Sequence, residues 1–482
     1  MSSNYREQWT SVGGHFPSHW QFFKLEELLE NAKGIAVGVM YPGDHTAEGI
    51  PLIKVGDVKD GYIASQPSFF ISPEVDEEYK RTRLNGTELL ITLVGNPGDC
   101  VVVEPYMAGW NAARALAVVR LKDTGLREWL KYILLSKPAK HLIDARLNTT
   151  VQKTLNLKDI RELGIPIPPK HERDMIIKNI SAIEQKKIVN ADTNQTLEQM
   201  AQALFKSWFV DFEPVKAKMA VLAAGGSQEE ATLAAMTSIS GKNADALAVF
   251  EREHPEQYAE LKATAELFPL AMQDSELGEI PEGWSIKPLD GIATYQNGLA
   301  LQKFRPENEN DFLPVVKIAQ LKKGFSDGEE KASPNIKPEC IIDNGDVVFS
   351  WSGSLMVDIW CGGKAALNQH LFKVSSTKYP KWLYYKYTAH HLIEFQRIAE
   401  AKAVTMGHIK REHLSQAKCL IPSSETVHAF TPFFEPVLNK VISNRLETRK
   451  LENIRDTLLP KLLSGEITLP EAEQAESEAE NV

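Results

Sequence analysis

The sequence predicts an α+β protein: two mixed α/β domains in a pseudo-twofold tandem repeat, separated by two long antiparallel coiled-coil helices. Three observations carry that expectation. The second half of the chain echoes the first, each echo opens on short β-rich segments, and each closes on an apolar series spaced by seven.

The echo is clearest near the end of each copy. Leu197–Phe209 lies over Leu451–Leu463 without a gap, at an offset of 254 residues. Ile167-Pro168 meets Ile421-Pro422 at the same offset, and Asn190 meets Asn444. Upstream the offset drifts. Glu88 and Gly95 fall on Asp346 and Gly353 at 258, and Ile53-Lys54-Val55 falls on Val316-Lys317-Ile318 at 263. Trp20 and Leu25 fall on Trp284 and Leu289 at 264. Loops of unequal length produce such drift, and the preserved order marks a duplication.

Within each copy the strands come first. Ile53–Val58, Glu88–Val94 and Cys100–Val103 are short β-prone runs between glycine, proline and asparagine turns. Leu313–Leu321, Asp346–Trp351 and Leu371–Val374 repeat them. Single helices are expected at Leu126–Ala145 and Trp382–Ala399.

Each copy then ends in a long helix, expected at Glu172–Phe212 and Glu425–Ser464. Pro432 and Pro436 argue for a later start or a kink in the second, and Pro460 for a break near its end. The series Ile176, Ile183, Asn190, Leu197, Leu204 and Phe430, Val437, Asn444, Leu451, Leu458 both place an asparagine centrally. A polar residue in an apolar seam fixes register. Ile183, Asn190 and Leu197 are therefore expected to pair antiparallel with Val437, Asn444 and Leu451. The alternative is two amphipathic helices with solvated asparagines.

These elements divide the chain into a first domain (1–170), a first spacer helix (171–212), an acidic helical connector (213–276), a second domain (277–424), a second spacer helix (425–465) and an acidic tail (466–482) expected to lack structure. Helical stretches are expected within the connector at Ala244–Glu253 and Glu256–Leu267, with breaks at Gly225-Gly226 and Ser240-Gly241.

Composition bounds the function. Of 482 residues, 43% are hydrophobic and 24% charged, a globular balance. No apolar run is long enough for a bilayer, and Met1–Thr10 is too polar for a targeting peptide, so a cytoplasmic location is expected. Cys100, Cys340, Cys361 and Cys419 form no metal-ligand spacing. Net charge is −10. Residues 213–283 carry −8 of it and the five glutamates after Pro470 another −5, leaving +3 elsewhere. Local charge governs phosphate affinity, so DNA binding is permitted.

No catalytic constellation is recognisable. Ser240-Gly241-Lys242 lacks the first glycine of a phosphate-binding loop, and no GxGxxG occurs. Asn96-Pro97-Gly98 only touches the amino-methyltransferase motif. Asp211, Glu213 and Lys216 have the wrong spacing for a nuclease, and His390-His391 sits in an aromatic-rich helix more suited to packing than to metal.

Several phrases, in order, carry a resemblance. Phe16-Pro-Ser-His-Trp20 and Leu277-Gly-Glu-Ile-Pro-Glu-Gly-Trp284 open the copies. Gly345-Asp-Val-Val-Phe-Ser-Trp-Ser-Gly353 and Asn368-Gln-His-Leu371 lie in the second domain. Leu204-Phe-Lys-Ser-Trp-Phe209 and Leu458-Leu-Pro-Lys-Leu-Leu-Ser-Gly465 close the helices. Together they resemble the specificity subunits of type I restriction–modification systems. The first copy departs, with an extra residue in Gly86-Thr-Glu-Leu-Leu-Ile-Thr92 and Asn111-Ala-Ala-Arg114 in place of the Asn-Gln-His run.

The resemblance implies two target-recognition domains, each reading half of a bipartite DNA target. It implies helices that set the gap and dock two modification subunits. S-adenosylmethionine, ATP and Mg2+ are then expected on the modification and restriction partners, none on this chain and no metal. A stand-alone DNA-binding regulator, a coiled-coil scaffold or an enzyme with an unrecognised site are the alternatives.

Base edges are read by polar side chains on loops. In the first domain the candidates are Lys54, Asn96, Arg114, Asn148, Thr149 and Gln152. In the second they are Lys317, Gln320, Ser352, Ser354, His370, Lys402, Thr405 and His408. Phe205, Trp208 and Phe209 are candidates for partner docking or core.

Overall fold

A computed structural model describes residues 2–59, 61–63, 67–147, 153–308, 310–326, 328–401 and 407–467. The chain forms two compact units: Met1–Lys186 with the segment from Lys450 onward, and Lys187–Arg449.

The first unit opens on α1 (Ser2–Ser11), which the sequence reading did not foresee. Its Trp9 is buried and donates from Nε1 to the Gly164 carbonyl at 2.6 Å. Strand β1 (Gln21–Lys24) follows, then β2 (Ile35–Val37), β3 (Ile50–Ile53), β4 (Phe70–Ile71), β5 (Leu89–Thr92), β6 (Cys100–Val102), β7 (Asn111–Ala112), β8 (Leu116–Val119) and β9 (Gly164–Ile167). β1 pairs antiparallel with β9. A four-stranded sheet runs β2-β8-β5-β6, and β3 lies between β4 and a parallel β7.

The four-stranded sheet is apolar on both faces. Leu89 and Ile91 enter one core with Ala117 and Val119; Leu90 enters another with Leu116 and Val118. Strand alternation thus turns the run Leu89-Leu-Ile into two buried layers. α2 (Arg127–Leu135) and α3 (Lys137–Asp144) replace the single helix expected over 126–145. Ser136 is extended, and its hydroxyl accepts from the Ala139 amide at 3.4 Å; Pro138 then restarts the helix.

The long helix α4 (Lys170–Phe209) spans 40 residues. It stops before Phe212, whose φ of 55° is left-handed. Four helices follow: α5 (Glu213–Ala223), α6 (Gln228–Ser240), α7 (Ala244–Glu253) and α8 (Pro255–Glu266). Gly241 caps α6 at φ 67°. Ala235, Met236, Leu247, Leu261 and Ala265 give this insertion a small core of its own. Buried Lys218 on α5 donates to the Phe268 carbonyl at 2.6 Å.

A hairpin of β10 (Met272–Ser275) and β11 (Gly278–Pro281) precedes the second copy of the fold. Its strands include β12 (Ser285–Pro288), β13 (Thr294–Asn297), β14 (Leu313–Val316), β15 (Lys331–Ala332), β16 (Val347–Ser350), β17 (Met356–Ile359), β18 (Ala365–Leu367), β19 (Leu371–Ser375) and β20 (Lys418–Ile421). The pairing repeats that of the first unit. β12 joins β20, the sheet runs β13-β19-β16-β17, and β14 is parallel to β18. Duplication is therefore visible in topology as well as in sequence.

Two expected strands differ from the structure: Ile53–Val58 shares only Ile53 with β3, and Leu313–Leu321 is cut short at Val316. β3 ends at Ile53 because the Asp57 carboxylate accepts the Lys54 amide at 2.8 Å and closes a short helical turn. Likewise Gln320 Oε1 accepts the Lys317 amide at 3.3 Å, and 318–323 become α9 (Ile318–Lys323). α10 (Lys381–Ala401) agrees with expectation.

The last helix, α11 (Ser424–Ser464), runs unbroken through Pro432, Pro436 and Pro460. The expected late start and breaks are not found. All three prolines are exposed, so the carbonyl each one frees can bond to water. The opposite face buries Phe430, Phe434 and Leu438.

Within the second unit, α4 and α11 run antiparallel. Asn190 Nδ2 donates to Glu447 Oε2 at 2.9 Å and to the Asn444 carbonyl at 3.4 Å. Asn444 Nδ2 donates to Asn194 Oδ1 at 2.9 Å. Both Asn190 and Asn444 are buried, but Leu197 and Val437 are only half-buried. The buried seam passes instead through Asn194, Ala201, Phe205 and Trp208 on α4 and Phe434, Leu438 and Val441 on α11. A strict heptad drifts about 20° per repeat around a straight helix, which moves Leu197 and Val437 off the seam. In the first unit Ile183 and Leu451 are likewise half-buried.

Phe205, Trp208 and Phe209 need correction as docking residues. All three lie inside the second unit's core, at 0%, 0% and 2% exposure. Trp208 packs edge-on against Phe268, Phe430 and Phe434. The first unit's core takes Leu459, Leu462 and Leu463 from α11 in the matching way, beside Trp20, Trp129 and Ile180. Each copy's closing helix therefore completes the core of the other copy's domain.

Candidate nucleic-acid interface

In the second unit three loops meet at one edge. They are the β16–β17 loop, the β18–β19 turn and the segment 407–410. Ser352 bridges His408, the Gly353 amide donates to the Gly407 carbonyl at 2.8 Å, and the Ile409 amide to the Trp351 carbonyl at 3.0 Å. The rings of His370 and His408 lie 5.9 and 6.4 Å from that of Trp351. Ser354 and His408 are exposed, and Gln320 and His370 half-buried.

Three assignments change at this edge. Ser352 is 3% exposed, and its hydroxyl lies 2.9 Å from His370 Nδ1, so it positions the imidazole and presents nothing to a ligand. Lys317 forms an ion pair with Glu330. A cation that reaches the loop is Lys322, which donates to Ser354 Oγ at 2.9 Å. Sequence reasoning missed Lys322 because it extended the strand through a segment that is helical.

The first unit builds the same edge. Val94 bridges Thr154, the Leu155 amide donates to the Leu93 carbonyl at 2.9 Å, and the Leu93 amide to the Ala115 carbonyl at 2.8 Å. Asn96 and Arg114 are exposed. The Asn96 carbonyl accepts from the Asp99 amide at 3.2 Å and from the Thr92 hydroxyl. Exposed Lys54 sits 3.6 Å over the Phe69 ring. Asn148, Thr149, Gln152, Lys402 and Thr405 lie outside the described residues.

A further clip occurs in both units. The Val39 amide donates to the Ala112 carbonyl at 2.7 Å, and Val39 receives the Arg114 amide at 2.9 Å. Leu299 does the same with Leu367 at 2.9 Å and Gln369 at 3.0 Å. The glycine before each is obligatory: a Cβ on Gly38 would fall 2.1 Å from the Ala112 carbonyl oxygen, and one on Gly298 2.2 Å from that of Leu367. The clip corrects the alignment of the copies. β3 pairs Ile53 with Ala112 and β14 pairs Val316 with Leu367. Asn111 therefore matches Ala366, and Ala113-Arg114-Ala115 matches Asn368-Gln369-His370. Asn111 is buried, donating to Asp76 Oδ1 at 2.9 Å and accepting from Thr82 Oγ1 at 2.8 Å.

His391 is half-buried and the cysteines are buried. Burial, with His390 alongside, pushes His391 down to about 4, so it is neutral at pH 7; its Nε2 lies 3.0 Å from the Lys418 carbonyl. The four cysteines are buried and unbridged. Among the described residues no group of three His, Cys, Asp or Glu could hold a metal ion.

The sequence profile of the family described as "Type I restriction modification DNA specificity domain" matches residues 17–199 and 281–454. The chain is 30% identical over 358 residues to the type I restriction enzyme HindI specificity subunit of Haemophilus influenzae, covering 71% of this chain and 78% of that one. It is 25% identical over 475 residues to the MjaIX specificity subunit of Methanocaldococcus jannaschii, covering 95% and 96%. A crystal structure of a type I S subunit from M. genitalium superposes with a TM-score of 0.46 at 12% identity, covering 94% and 97%. Two matched stretches cover more than half of the chain, each on one copy of the duplicated fold: the chain belongs to the family of type I restriction–modification DNA specificity subunits.

Proposed function

We propose that this chain reads a bipartite, asymmetric double-stranded DNA target with a fixed gap, one half through each loop edge. The observation that carries the reading is one scaffold built twice with different loop chemistry. Identical readers suit a palindrome, whereas diverged readers suit two unlike half-sites. The chain is non-catalytic by itself. It docks two methyltransferase subunits and the ATP-dependent restriction subunits, which hold S-adenosylmethionine, ATP and Mg2+. Its place of action is the cytoplasm; no described helix is long and apolar enough to cross a membrane.

Mapping of methylated adenines in the host genome, with and without this gene, tests the proposal. Loss of methylation at one interrupted, asymmetric motif is expected. Unchanged methylation while the partner methyltransferase is expressed would overturn it. A stand-alone regulator would instead bind DNA without altering methylation.

A further inference from the structure

We propose that Arg114 and Gln369 occupy one equivalent position in the two units and read the two half-sites through it, Arg114 a guanine and Gln369 an adenine. The inference rests on the DNA-reading function proposed above and adds the residues and bases.

Equivalence is set by backbone geometry. In the first unit Gly38 donates to the Leu116 carbonyl at 3.0 Å, Val39 to Ala112, Arg114 to Val39, and Leu116 to Ala113 at 2.9 Å. In the second, Gly298 donates to Leu371 at 3.0 Å, Leu299 to Leu367, Gln369 to Leu299, and Leu371 to Asn368 at 3.0 Å. The same four bonds therefore hold both turns. Val39 and Ala113 form a parallel bridge, as do Leu299 and Asn368.

Direction follows from alternation along extended chain. Val39 is buried and Ala113 packs against the same small core. The next residues on the two chains, Met40 and Arg114, are both exposed. Tyr41 follows at 75% exposure. In the second unit the matching pair, Ala300 and Gln369, is half-buried, and Gln369 Nε2 lies 3.4 Å from His370 Nε2.

The chemistry at the matched position differs in the one way that matters for reading bases. A guanidinium fork fits the O6 and N7 acceptors of guanine, whereas a carboxamide fits the N6 donor and N7 acceptor of adenine. An exposed Met40 and Tyr41 beside Arg114 offer apolar surface to a thymine methyl or a base step. Two copies that kept the turn and exchanged the side chain at this position would read different bases from the same place.

The test uses the full chain co-expressed with its methyltransferase partner in a restriction-free host, followed by adenine-methylation mapping. Arg114→Gln is expected to move preference at one base pair of one half-site from guanine towards adenine, leaving the other half-site and the gap unchanged. Gln369→Arg should do the reverse in the other half-site. Alanine at either position should relax discrimination at that base pair about tenfold or more. Arg114→Lys keeps the charge without the fork and should relax the same base.

Variants that keep the wild-type preference at every position overturn the inference. So does a uniform fall across the motif in a variant that melts with the wild type and still co-purifies with the methyltransferase, because that marks a phosphate contact. Wild-type protein that directs no interrupted motif would instead sink the underlying function.

Discussion

Single residues at the loop edges divide into those that face outward and those that hold them. Ser352 and Gly38 belong to the second kind. Gly38→Ala should displace the Val39 clip, destabilising the chain by about 1–3 kcal/mol. In methylation mapping its damage should fall on one half-site, and that of Gly298→Ala on the other; equal loss at both would contradict the pairing of loops with half-sites. Lys218 gives a pH test. Burial lowers its pKa to about 8, despite the charge of Glu266. A depressed amine pKa means the folded state gives up its proton before the unfolded state does. Stability should therefore rise with pH between about 8 and the ordinary lysine value, by at most about 1.4 kcal/mol per unit. Thermal melts across that range should show the wild type gaining stability relative to Lys218→Met as pH rises, and a difference that stays constant would contradict the assignment. At this scale the sequence was least legible. Residue type and loop position picked out Arg114, Asn96, Ser354 and His408, all exposed. They could not reveal that Ser352 is buried, that Glu330 pairs with Lys317, or that Asn111 answers to Ala366. Those facts depend on neighbours distant along the chain.

Elements were more legible because periodicity reports them directly. The long helices run past the last members of their apolar series, Leu204 and Leu458, to end at Phe209 and Ser464, and the connector helices break at Gly225-Gly226 and Ser240-Gly241. What pattern could not show is which core a helix enters. Phe205, Trp208 and Phe209 suit partner docking or core by pattern alone, and they fill the core of the second unit. Trp208→Ala should cost about 3–5 kcal/mol and lower the melting temperature. A variant that melts normally but fails to bind the methyltransferase would reinstate the docking role. The asparagine network in the helix pair makes a separate prediction. Asn444→Leu removes the donor to Asn194 Oδ1 and should destabilise by about 1–3 kcal/mol. Adding Asn194→Leu should recover part of that loss, because no buried amide oxygen is then stranded; strictly additive losses would rule out a shared network.

At the scale of the whole molecule, the acidic balance is concentrated away from the duplicated domains, in the insertion and tail. The duplication itself was readable because 254-residue spacing persists through the closing helices. If α4 and α11 set the gap, inserting seven residues into each should change the gap in the methylated motif or abolish methylation. Recovery of the unchanged gap would refute that role. The exchange of closing helices between the copies has a consequence during synthesis. A nascent first domain leaves the ribosome without Leu459, Leu462 and Leu463, which arrive some 280 residues after Ile180. Until those leucines emerge, Trp20, Trp129 and Ile180 lack their apolar cover and are open to chaperones and proteases. A messenger cut short before codon 450 should therefore yield a soluble second domain tethered to an unfinished first one, and the cell should degrade it instead of assembling half a reader.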